Sequence, residues 1–112
     1  MMVATTEDQD ELILENTTTL KVARWWNRAC DIIPCNGGKD IGIQKILDYF
    51  NFNKEEAMAF GDGGNDISML KYVGTGVAMG NAKDDVKAIA DYITDSVQED
   101  GIVSALKHFE IL

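Results

Sequence analysis

An apolar run, Ala57–Phe60, gives way to Gly61, Asp62, Gly63, Gly64, Asn65 and Asp66, and an apolar helical pattern from Ile67 to Leu70 follows at once. Two carboxylates and a carboxamide are thus displayed on a tight loop between a buried strand and a helix. In open α/β sheets ligands bind at this place, outside the carboxyl ends of the strands. Gly63 and Gly64 remove side chains that would block close approach and tolerate unusual backbone angles. Asp62 comes first off the strand and suits a hard cation such as Mg²⁺, which favours carboxylate oxygens and keeps several waters. The chemistry read from this spacing is that of a metal-phosphate site. Asn65 and Asp66 have a second reading as helix caps, because such side chains satisfy orphan amides and complement the helix dipole. Capping accounts for neither Asp62 nor the paired glycines.

Lys39 is the natural second half of such a site. It follows Gly37 and Gly38 and opens a helix, where the dipole disfavours a cation. The cost makes sense when an anion is shared between Lys39 and the Asp62 loop; the plainer alternative is a solvated surface lysine. Other candidates are weaker. His108, the single histidine, falls late in an amphipathic segment and reads as a helix-end residue. Cys30 and Cys35 lack the second pair that a zinc site needs and read as reduced, semi-buried thiols. Trp25 and Trp26 are adjacent on a strand and point to opposite faces, so at most one lines a site.

The elements that must position these residues follow from hydrophobic periodicity. Residues 7–15 read as a short helix with a thin apolar face at Leu12 and Ile13. Leu20–Trp26 and Ala29–Pro34 read as strands, with Asn27 and Arg28 as a hairpin turn. Ile43, Ile46, Leu47 and Phe50 have the i, i+3, i+4, i+7 spacing of an amphipathic helix beginning at Asp40. Strands are predicted at Ala57–Phe60, Gly76–Met79 and Asp91–Thr94. Helices are predicted after the acidic loop, through Val86 and Ile89, and through Ile102, Leu106 and Phe109. From residue 39 onward helix and strand alternate, which implies a parallel sheet with helices on its faces. Residues 1–36 break the alternation with a helix and two antiparallel strands, and belong to a different layer.

With 112 residues, 46% of them hydrophobic and 26% charged, the chain has the composition of a globular protein. Its net charge of −9 argues against nucleic acid or an anionic membrane as partner. The same charge would repel a phosphate unless a cation and a lysine neutralise it locally. No run approaches the ~20 apolar residues of a membrane span, and the N-terminal residues lack the basic-then-apolar pattern of a signal peptide. A cytoplasmic location is expected, so Asn16, Thr17 and Thr18, which fit a glycosylation acceptor, are idle.

Gly38, Lys39 and Gly42, followed by Gly61, Asp62, Gly63, Gly64, Asn65, Asp66 and Leu70, and then by Gly76, Val77, Ala78, Met79, Gly80, Asn81 and Ala82, resemble the haloacid dehalogenase (HAD) superfamily. Within it the chain looks like the Cof-type sugar phosphatases with a type IIB cap, over residues 20–112. The resemblance implies a Rossmann-like α/β core with a parallel sheet, and a small remnant of an α+β cap. On this reading residues 1–36 are the tail of the cap and residues 37–112 the C-terminal part of the core. It implies that Lys39 binds the transferring phosphoryl group, Asp62 ligates Mg²⁺, Asn65 contacts the substrate phosphate and Asp66 supports the metal's water shell. Lys39, Asp62 and Asp66 are the expected catalytic residues, with Asp62 and Asp66 as the metal pair.

The family's chemistry begins with an aspartate nucleophile in an Asp-x-Asp-Gly pattern ending the first core strand, which gives an aspartyl-phosphate that water hydrolyses. Asp8, Gln9 and Asp10 imitate the spacing, but no apolar strand precedes them and Glu11 and Leu12 replace the glycine and threonine. They read as the solvated start of a cap helix. The expectation is therefore the C-terminal part of a longer phosphatase, inactive alone. Its substrate would be a small phosphorylated metabolite or inorganic phosphate, and it would pair with a companion N-terminal fragment or form a homo-oligomer. A non-catalytic Mg²⁺/phosphate-binding module and a vestigial truncated product are the alternatives.

Overall fold

The computed structural model describes residues 1–112. The chain forms two separate three-stranded sheets. The first takes β1 (Met2–Val3), β2 (Leu20–Trp26) and β3 (Ala29–Pro34), in the order β1-β3-β2 and antiparallel throughout. Helix α1 (Asp8–Glu15) lies against β2. The second takes β4 (Met58–Gly61), β5 (Thr75–Ala78) and β6 (Tyr92–Ile93), in that order and parallel. Its helices are α2 (Lys39–Phe50), α3 (Ile67–Tyr72), α4 (Asp84–Ile89) and α5 (Gly101–His108). The Cα radius of gyration is 15.4 Å, against about 13 Å for a compact domain of this size. The excess follows from two sheets lying side by side with only a narrow seam between them.

The hairpin registers Leu20 with Pro34 and continues to Arg24 opposite Cys30, after which Trp26 faces Ala29. The irregularity at Trp25 is a bulge, which re-aims the side chain of the extra residue. Trp26 is left 51% exposed while Trp25 turns toward the second sheet. Arg24, beside the bulge, holds the N-terminal segment. Its guanidinium donates to Asp10 at 2.9 and 2.5 Å and to the carbonyls of Thr5 and Thr6. This pairing covers the Asp10 side chain, while Asp8 and Gln9 at the start of α1 stay exposed. Strand β1 was not expected: two residues carry no period, and only the third-strand position beside Ala29 and Cys30 makes them a strand.

The core of the second unit is Ala59, Leu70, Val73, Ala78, Ala82 and Val86, with Ile43, Ile67 and Ile89 packed against it. The expected strands appear one residue later at Met58–Gly61 and one earlier at Thr75–Ala78, and the Asp91–Thr94 run contributes only Tyr92–Ile93. Asp91 is instead used as a clamp, its carboxylate accepting the Gly76 N–H at 2.7 Å. The expected apolar face of α2 is only partly covered: Ile46 is 59% and Phe50 61% exposed. Helix α2 packs on α3, and β4 is an edge strand with β5 as its single neighbour. Nothing therefore covers the outer half of the stripe. His108 ends α5, its ring stacked on Tyr92 with centroids 4.2 Å apart.

Candidate metal and phosphate site

Strand β4 ends at the buried Gly61, and a single 3₁₀ turn, Gly64–Asp66, leads into α3. Asp66 folds back under the strand end. Its Oδ2 accepts the main-chain N–H of Asp62 at 3.0 Å and of Gly63 at 3.1 Å, so the loop is closed by its own carboxylate. Gly61 permits this, since a Cβ there would lie 2.6 Å from the Cβ of Asp66. The other oxygen of Asp66 accepts the ammonium group of Lys39, 27 positions away in the chain. Lys39 is the first residue of α2, and its entry is set by Gly38 with φ +123°, a conformation that L side chains rarely adopt. Half of the Lys39 side chain stays accessible, while that of Asp66 is 7% exposed.

The charge state of Asp66 follows from this setting. Burial works to raise its pKa, but the hydrogen bonds from Lys39 and from the Gly63 and Asp62 N–H groups, with the lysine's charge, outweigh burial and hold it below the ordinary value. Asp66 is thus an ionised, fully engaged carboxylate. Asp62 is its opposite. It is exposed, and it receives one side-chain hydrogen bond, from Nδ2 of Asn81 to Oδ2 at 3.1 Å.

Lys39, Asp62, Asn65 and Asp66, the four residues singled out in the sequence, line one cleft of about 460 Å³. Trp25, Asn81 and Lys83 line it too and were not among them. Asn81 carried a signal: it stands just past β5, at the sheet end where β4 delivers Asp62. Trp25, from the adjacent pair of which at most one was expected to line a site, enters through the hairpin bulge, and Lys83 enters through the start of α4, which no local pattern reveals. A second cleft of about 560 Å³ adjoins, shares Lys39 and Asn65, and runs between the hairpin strands and α3 past Lys21, Ile33 and Ser68.

The donor set fits a hard cation in part. Asp66 is committed to three donors, which leaves Asp62 as the free carboxylate, and no group of three or more His, Cys, Asp or Glu side chains is placed to hold a metal. One or two carboxylates suffice as protein ligands for Mg²⁺, which retains waters and shares phosphate oxygens. Asp62 has the chemistry to be one ligand of such a site.

The acidic turn at the carboxyl end of a parallel strand, facing a lysine from a neighbouring helix, stands where open α/β sheets bind their ligands. The profile of the haloacid dehalogenase-like hydrolases matches residues 2–106, and the chain belongs to that family. It is 42% identical over 106 residues to the YkrA protein of Bacillus subtilis (strain 168), covering 95% of this chain and 41% of that one. It is 44% identical over 89 residues to the 5-amino-6-(5-phospho-D-ribitylamino)uracil phosphatase YitU of the same organism, covering 77% of this chain and 33% of that one. Among solved structures it is similar to the HAD subclass IIB sugar phosphatase BT4131, with 46% identity and a TM-score of 0.91 over 97% of this chain and 42% of that one. The chain thus spans between a third and about two fifths of these proteins' length.

Proposed function

We propose that this chain is the C-terminal part of a Mg²⁺-dependent phosphatase that hydrolyses sugar phosphates or similar small phosphorylated metabolites. The observation that carries the reading is the meeting of Lys39 and Asp66 beside the exposed Asp62 in one cleft. Lys39 holds the transferring phosphoryl group and Asn65 contacts its oxygens. Asp66 fixes the lysine and the loop from behind, and so serves the cation's surroundings without lending it an oxygen. Asp62 would hold Mg²⁺, which when bound neutralises phosphate charge in a protein of net charge −9. Residues 1–36 act as the tail of the cap and residues 37–112 as the core. Cys30 and Cys35 are both free, which supports a reducing compartment, the cytoplasm.

The attacking carboxylate comes from outside these residues. Asp8 and Asp10 belong to α1, and Asp10 is held by Arg24 at 2.9 and 2.5 Å, which is the setting of a structural carboxylate. Positioning groups without their nucleophile lose nearly all turnover, because such parts act as a unit. The purified chain with Mg²⁺ is therefore expected to hydrolyse p-nitrophenyl phosphate no faster than its Asp62→Ala variant. A rate that the variant abolishes overturns this.

The partner reading rests on β4. Its open edge is a template for another strand, and Ile46, Tyr49, Phe50 and Phe52 are 56–83% exposed nearby in sequence on α2 and the turn after it. A companion N-terminal fragment or a second copy is expected to cover this edge. Light scattering on the chain alone should show mass above the monomer, increasing with concentration; a constant monomer mass speaks against it. A non-catalytic Mg²⁺/phosphate-binding module is the second reading, favoured by an assembled phosphate side with a single free metal carboxylate. Calorimetry with Mg²⁺ and inorganic phosphate distinguishes it from a vestigial product, which takes up neither.

A further inference from the structure

We infer that Asn81 is a positioning residue for Asp62, holding that carboxylate in the orientation that presents its second oxygen to a cation; the inference rests on the cation reading proposed above. The side-chain amide of Asn81 bridges two elements. Its Oδ1 accepts the main-chain N–H of Val97 at 3.0 Å, and its Nδ2 donates to Oδ2 of Asp62 at 3.1 Å. The orientation is not a matter of choice. A main-chain N–H can only donate, so the amide oxygen must face Val97, which leaves the NH₂ group for the carboxylate. Val97 therefore fixes Asn81, and Asn81 fixes Asp62.

The consequence concerns a flexible, exposed side chain. Asp62 makes no ion pair, unlike Asp66, and receives this one side-chain hydrogen bond. Without it the carboxylate rotates freely in an open cleft, and a cation must order it on binding. With it one oxygen is occupied by a neutral donor while Oδ1 stays available. A neutral amide suits the task, since a lysine there would compete with the cation for the same charge. Hydrogen-bond partners of metal-binding carboxylates commonly set affinity in this way, with losses of about 10–100-fold on removal.

The test uses Mg²⁺ as the probe and the chain as it stands, following the amide NMR shifts of Asp62 and Gly63 during titration. Asn81→Ala should weaken Mg²⁺ binding about tenfold, the low end of that range because the site is open to water. Val97→Pro is the sharper variant. It deletes the N–H that orients Asn81 without touching the cleft, at a 59% exposed position. It also suits the fold: Val97 opens a 3₁₀ turn, and Ser96 before it has φ −68° and ψ 165°, the extended conformation that a following proline requires. Val97→Pro should weaken binding about fivefold, the equivalent of one ordinary hydrogen bond, and should add nothing in a chain that already carries Asn81→Ala. A purely structural bridge predicts instead a lower melting temperature with affinity unchanged. Variants that bind Mg²⁺ within about twofold of the wild type overturn the inference while the cation reading stands. Wild-type amides unmoved by Mg²⁺ overturn the cation reading itself, and this inference with it.

Discussion

Asp66→Ala is expected to destabilise the chain by about 3 kcal/mol and to abolish phosphate binding. The carboxylate is the acceptor for two main-chain N–H groups and the counter-charge of Lys39. Its removal takes the acceptor from the part-buried Asp62 and Gly63 donors, at about 1 kcal/mol each, the low end for a group left without its partner, and deprives the half-exposed Lys39 ammonium of its counter-charge. For a domain of this size that is a fall in melting temperature on the order of 10–20 °C. The pH dependence carries the same signature. The folded-state pKa of Asp66 lies below its unfolded value, so its stabilising contribution is complete above the unfolded value near ~4 and is lost as pH falls through the folded one. Calorimetric unfolding between neutral and strongly acid pH should show the wild type and the variant converging as the medium becomes acid. A constant difference across that range would falsify the assignment of Asp66 as the ionised hub of the loop.

Gly64→Ala is the second large effect, and its cause is steric. A Cβ at position 64 would sit 2.6 Å from the main-chain carbonyl oxygen of Arg24. No side chain can yield there. The strand carrying that carbonyl is pinned through the Arg24 side chain to Asp10, Thr5 and Thr6, while the loop is pinned through Asp66. Either the hairpin moves off the loop or the loop distorts, at about 2 kcal/mol by the usual cost of overpacking. Because Trp25 of the same hairpin lines the cleft, displacement should move its fluorescence to longer wavelength. Gly42→Ala serves as the control: the site lies in α2 with nothing within 4 Å of an added Cβ, and alanine there should stabilise by about 0.5–1 kcal/mol. Equal losses at both positions would show that helix and loop glycines are not distinguished by contact.

These two variants also mark where sequence reasoning reached its limit. The hairpin strands occur as read, Leu20–Trp26 and Ala29–Pro34, because alternating and continuous apolar runs bounded by Asn27, Arg28 and Pro34 are local signals. The parallel unit was legible for the same reason, with shifts of one residue at β4 and β5. Strand β1 was not, since two residues acquire strand geometry only from the neighbour they pair with. The α2 stripe reads as an amphipathic helix and the periodicity is present, but burial of its outer half depends on a covering layer that β4, as an edge strand, does not have.

The contrast is clearest inside the site. The order of residues was enough to put Asp62, Asn65 and Asp66 at a strand end and Lys39 at a helix opening, because backbone propensity and hydrophobic period act over a few neighbouring positions. Which carboxylate faces water and which is buried was decided by the tertiary structure alone. Lys39 meets Asp66 across 27 positions and Asn81 meets Asp62 across 19. Trp25 reaches the same cleft through a bulge in the other sheet. Such partners are chosen by how loops from distant segments converge, and the energy that separates the roles of two aspartates, burial against hydrogen bonding, exists only once they have converged.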